Sequence, residues 1–135
     1  MNYICSMGIF DSVFGKKEKQ GCEQKRLPWI ELEELAQLDA ISEKSKDKTQ
    51  VIYKHSSTCG ISSMVLNMFT QSYDPDTDCD LYFLTIQHHR DISNEIAQKF
   101  RVRHESPQLL VVKNGEVTFH TSHGAIADTD LKQKL

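Results

Sequence analysis

Between Leu27 and Leu135, compact apolar runs alternate with stretches whose apolar residues recur every three or four positions. No other feature restricts the fold as much, because strands that alternate with helices imply right-handed crossovers and a largely parallel sheet. "LPWIEL" reads as a short edge strand, and "QVIYKH" has the unbroken apolar character of a buried parallel strand. "EELAQLDAISEKS" between them brings Leu35, Leu38 and Ile41 to helical spacing. "GISSMVLNMFTQSY" carries Ile61, Val65, Met68 and Phe69 at i, i+4, i+7 and i+8, which predicts a helix with those four on its buried face. "DPDTDCD" supplies turn residues before the strand "LYFLTIQ", and "RDISNEIAQKF" aligns Ile92, Ile96 and Phe100 on one stripe. "QLLVVK" and "EVTFHTS" are separated by Asn114-Gly115, the dipeptide of a type I′ hairpin, which demands positive φ at both central residues. "AIADTDLKQKL" predicts a short C-terminal helix.

The order is therefore β-α-β-α-β-α-β-β-α, an α/β thioredoxin-like fold with a central mixed sheet, a C-terminal antiparallel hairpin and a closing helix. The 135 residues suffice for one such domain and are too few for two. The domain is expected to span residues 27–135. Residues 1–26 read as a flexible N-terminal extension, with a short apolar stripe (Ile9, Phe10, Val13, Phe14) and a polar connector, "KKEKQGCEQKR".

A formal net charge of −3 and a pI near 6.0 argue against nucleic acid as the main partner, since a phosphate binder shows a basic face. The four cysteines, Cys5, Cys22, Cys59 and Cys79, are spaced 17, 37 and 20 apart, and no pair has the spacing of a zinc knuckle, so no metal site is expected. No apolar run approaches the roughly 18 residues of a membrane span, and "MNYICSMGIF" is a poor secretory signal. The expected compartment is the reducing cytoplasm, where an isolated cysteine stays a thiol.

Cys59 falls between an apolar strand and an amphipathic helix, in "HSSTCGIS". At a helix start, unpaired N–H groups and the helix dipole favour thiolate over thiol. The expected pKa falls from about 8.5 to about 6 or 7, low enough to populate the nucleophile at neutral pH. Lys54 and His55 are placed to add positive charge. Ser62 stands one turn on, where a resolving cysteine would complete a C-x-x-C pair; it can cap a backbone N–H or donate to the Cys59 sulfur, but it cannot close a disulfide. A lone cysteine of this kind can take over a small-thiol adduct from another molecule and must then be released by a second thiol from solution. Cys59 and Ser62 are thus the candidate catalytic residues.

Pro107, in "HESPQLL", opens the first strand of the hairpin, the position where thioredoxin folds carry a cis-proline facing the active cysteine. A cis bond there turns the Ser106 backbone outward, able to pair with an extended substrate by strand addition, flanked by His104 and Glu105. Together with His55, Thr58 and Gly60 around the cysteine, Ser106 and Pro107 form the expected substrate-binding surface.

"VIYKHSSTCGIS", "LTIQHHRDISNEIAQKFRVRHESPQLLVVKNG" and "HTSHGAI" together resemble the YtxJ-type monothiol bacilliredoxins of the bacillithiol system, over Trp29 to Leu135. The resemblance implies a thiol-disulfide oxidoreductase with no bound cofactor. Its co-substrate would be a low-molecular-weight thiol, bacillithiol or similar, its partners S-thiolated cytosolic proteins, and its setting the stress response. Cys59 matches the family's active cysteine, Ser62 its serine and Pro107 its cis-proline. Gly60 departs from the proline usual after the cysteine, and makes the site resemble the C-G-F-S of monothiol glutaredoxins. That leaves a [2Fe–2S] cluster carrier as an alternative, although "TSHGAI" lacks the Gly-Gly and acidic pair those proteins use for glutathione. A reductase resolved internally by Cys22 or Cys79 is another.

Overall fold

The computed structural model describes residues 27–58 and 60–135. The expected N-terminal extension, with Cys5 and Cys22, and the candidate nucleophile Cys59 lie outside the described residues. Five strands, β1 (Trp29–Glu31), β2 (Gln50–His55), β3 (Asp80–Thr85), β4 (Gln108–Lys113) and β5 (Glu116–Ser122), form one sheet in the order β1-β3-β2-β4-β5. Three α-helices, α1 (Ala36–Lys44), α2 (Gly60–Ser72) and α3 (Arg90–Lys99), provide the crossovers. β1, β3 and β2 run parallel, while β4 is antiparallel to β2 and to β5.

Alternation along the strands sends side chains into two cores, one on each face of the sheet. Ile52, Leu84, Leu110 and Val112 join Leu38 and Ile41 of α1 and Ile92 and Ile96 of α3. Val51, Tyr53, Leu81, Leu109 and Val111 join Val65 and Phe69 of α2 on the other face. Because both faces are covered, β2 and β4 read as continuous apolar runs rather than alternating ones.

Asn114 and Gly115 take φ of 52° and 78°, as the type I′ hairpin requires. The end of α1 pins this turn: the Asn114 N–H donates to the Ser45 carbonyl at 2.9 Å, and the Gly115 N–H to Ser45 Oγ at 2.7 Å.

The structure corrects three details. On α2, Ile61 and Met68 are 57% and 49% exposed, and the buried face is Ser62, Val65 and Phe69. The stripe is rotated because a polar residue, Ser62, occupies its first inward position. Leu35 is exposed and precedes α1, so that helix buries only Leu38 and Ile41. The expected C-terminal helix is two short 3₁₀ turns, His123–Ile126 and Leu131–Lys134, which bury Ile126 and Leu131 against the face carrying α2.

Candidate active site

Three chain entries meet at one edge of the sheet. β2 and β3 end in register at His55 and Thr85; α2 and α3 start soon afterwards, at Gly60 and Arg90. β4 starts at the same edge, since Gln108 pairs with Lys54. Crevices at the carboxyl ends of parallel strands are where open α/β sheets hold ligands.

Ser62, in the first turn of α2, is fully buried. Its Oγ accepts the Ser56 N–H at 3.1 Å and lies 3.1 Å from His55 Nδ1. The serine therefore ties the beginning of α2 to the end of β2. Sequence reasoning allowed it a cap or a bond to sulfur; the backbone N–H it satisfies belongs to the strand end rather than to its own helix.

His55 and Lys54 do not act as the pair of cations that their adjacency suggests. Burial pushes the His55 imidazole below its ordinary value, so it is neutral at neutral pH, with its ring 5.4 Å from that of Phe83. Lys54 points to the opposite face of the sheet, fully buried, with Nζ 3.2 Å from His104 Nδ1 and 3.4 Å from the Ser93 carbonyl. Burial lowers its ammonium to about 8.

The short segment between β2 and α2 is held by Gln87, from the loop that follows β3. Gln87 Oε1 accepts the Ser57 N–H at 3.0 Å and the Ser57 hydroxyl at 3.2 Å. Its Nε2 donates to Ser56 Oγ at 2.7 Å and to Thr58 Oγ1 at 3.1 Å. Thr58 and Gly60 are exposed. A Cβ added at Gly60 would meet nothing within 4 Å, so crowding does not force glycine there.

The Ser106–Pro107 peptide is cis. Pro107 is buried and its carbonyl accepts the His123 N–H at 3.0 Å. Neither the N–H nor the carbonyl of Ser106 bonds to another described residue. Glu105 turns toward β5 and the following turn, where its Oε1 accepts the Ser122 hydroxyl at 3.2 Å and lies 3.4 Å from His123 Nδ1.

Cys79 sits at the other end of β3, next to Asp80, which pairs with the first residue of β2. It is buried against the Tyr73 hydroxyl at 3.7 Å, and burial pushes its thiol up. This is the environment of a structural cysteine. Among the described residues there is no group of three metal-ligating side chains and no helix long and apolar enough to cross a membrane.

Gln87, Ser93 and the burial of Lys54 escaped sequence reasoning. Gln87 carried no signal, whereas a lysine inside the apolar run "QVIYKH" was a visible anomaly.

A family model described as "Monothiol bacilliredoxin BrxC" matches residues 30–131. Among solved structures, one described as having a thioredoxin fold, and provisionally as an oxidoreductase, is 36% identical, with a TM-score of 0.67 over 78% of this chain and 91% of that one. The reduced thioredoxin pre-protein of Schistosoma mansoni is 24% identical, with a TM-score of 0.57 over 78% and 96%. Thioredoxin NaTrxh from Nicotiana alata is 20% identical, with a TM-score of 0.59 over 89% and 95%. The two thioredoxins speak for the fold alone.

Proposed function

Because the chain belongs to the monothiol bacilliredoxin family, and is thus a thiol-disulfide oxidoreductase of thioredoxin fold, we propose that it removes a low-molecular-weight thiol from S-thiolated proteins in the cytoplasm. Bacillithiol, or a similar cysteine-based thiol, is the group transferred, and oxidative stress is the condition that supplies the substrate.

The Cys59 thiolate attacks the small-thiol sulfur of the protein mixed disulfide. The old S–S bond breaks, the substrate cysteine leaves as a thiolate and takes a proton, and a Cys59–small-thiol disulfide forms. A second small thiol then attacks that disulfide as its thiolate, releasing the symmetrical disulfide and restoring Cys59. Each step exchanges one disulfide for another, so no bound cofactor is needed. In this reading Thr58 and Gly60 flank the reacting sulfur, the unbonded Ser106 main chain beside Pro107 receives the extended substrate, and His55 bears on the site through Ser62.

One observation carries the reading: the position that would hold a resolving thiol is a buried serine already engaged with Ser56 and His55. Its hydroxyl cannot close a C-x-x-C disulfide, and in this reading release falls to a thiol from solution.

The test is mass spectrometry of the protein mixed with an S-bacillithiolated or S-glutathionylated protein. The adduct mass is expected on the Cys59 peptide while the substrate loses it, and neither change is expected with Cys59→Ala. An adduct that stays on the substrate, or moves to another cysteine, overturns the reading.

A further inference from the structure

Among the described residues, Lys54 is a buried cation with no counter-charge. Its described partners, the Ser93 carbonyl and His104 Nδ1, are neutral acceptors. The ion pairs among the described residues run through Lys46, Lys48, Lys99, His123 and Lys132, and include neither Lys54 nor Arg90. Burying a charge without an opposite one is costly, and the cost shows in the lowered ammonium, which is still mainly protonated at neutral pH.

An ammonium has only donors, so His104 Nδ1 must accept and the ring proton sits on Nε2. Ser93 Oγ also approaches that Nδ1, at 3.1 Å. Burial first, and then the charges of Lys54 and Arg90, push the His104 ring below its ordinary value, while the Glu105 carboxylate acts in the opposite sense. The nearest acid in sequence, Glu105, is occupied by Ser122 and His123.

Arg90, Ser93 and His104 line a pocket of about 20 Å³ together with Ile86 and Asn94, and Lys54 meets it only through His104 and Ser93. Its volume suits one oxygen atom. Its donors are a guanidinium, an amide, a hydroxyl and an imidazole, with an ammonium behind them and no carboxylate in the lining. It lies beside the start of α3, at the edge of the sheet where α2 also begins, and Gln87 joins the two loops there.

We propose that this pocket is a carboxylate subsite for the low-molecular-weight thiol, with one oxygen against Arg90 and His104 and Lys54 as the charge beneath. The subsite rests on the transfer reaction proposed above. It gives that reaction a basis for choosing acidic small thiols over neutral ones, and gives the uncompensated lysine a counter-ion only while the substrate is bound.

The experiment uses one carrier protein with a single cysteine, thiolated either with 3-mercaptopropionate or with neutral 2-mercaptoethanol. Keeping the carrier constant assigns any preference to the small thiol and not to acidic side chains of the protein partner. The wild-type protein is expected to take the carboxylate adduct faster by about fivefold, the size of a partly exposed ion pair. Arg90→Gln, an exposed position checked for folding by circular dichroism, is expected to bring the ratio of the two rates close to one, and Lys54→Met to lower it in the same direction. Equal wild-type rates, or a preference that survives Arg90→Gln, overturn the subsite alone. A wild-type protein that takes neither adduct overturns the transfer reaction, and the subsite with it.

Discussion

Ser62 Oγ lies 3.1 Å from His55 Nδ1 and accepts the Ser56 N–H at the same distance, joining the first turn of α2 to the last residue of β2. Ser62→Ala leaves both partners short of a bond in a buried place. The expected cost is about 1–3 kcal/mol, read as a lower urea midpoint at constant m-value. A midpoint equal to that of the wild type would show the bond to be idle.

Lys54→Met is expected to stabilise the protein at pH 7. The folded-state pKa of about 8 lies below the ordinary 10.5. Below pH 8 both states are protonated and the folded state bears the full penalty; above 10.5 both are neutral and the penalty vanishes. In carboxylate-free buffer the methionine variant should be more stable by about 3 kcal/mol at pH 7. That margin should shrink as pH rises through the window from 8 to 10.5. A margin independent of pH would mean that packing, not charge, sets the difference.

Gln87→Ala frees the 56–58 segment from its side-chain clamp. The Ser57 amide, bonded to Gln87 Oε1 at 3.0 Å, should then exchange with solvent about tenfold faster, the equivalent of one lost hydrogen bond. Amide exchange followed by NMR checks this, with core amides such as that of Ile52 as the reference expected to stay slow.

Cysteine labelling should separate two environments. With Cys5 and Cys22 replaced by serine, iodoacetamide at pH 7 is expected to modify Cys59 and to spare Cys79, whose thiol is buried and pushed up. Cys79 should react only after unfolding in urea. Prompt native labelling of Cys79 would contradict its burial.

Periodicity made most of the scaffold legible. "QLLVVK" and "EVTFHTS" coincide with β4 and β5, and Ile92, Ile96 and Phe100 are buried as their spacing predicts. The inward face of α2 was misread because Ser62 takes a core position on the strength of two hydrogen bonds rather than apolar area. The C-terminal segment was misread because its two buried anchors, Ile126 and Leu131, stand five residues apart and do not share one helical stripe, so two separate turns form instead of one α-helix. At the candidate site, Ser62 was visible from its spacing to Cys59, and Pro107 from its place at the start of the hairpin strand. The roles of Lys54, Gln87 and Ser93 depend on which face of a strand, or which neighbouring loop, a side chain meets, and local pattern does not encode that.

Gln87 reaches from the β3–α3 connection to three consecutive residues, Ser56, Ser57 and Thr58. The two crossovers thus share a single joint, and nothing at one loop shifts without tugging on the other. A displacement of the connection that feeds α3 is therefore carried, through one side-chain amide, to the residues that lead into α2.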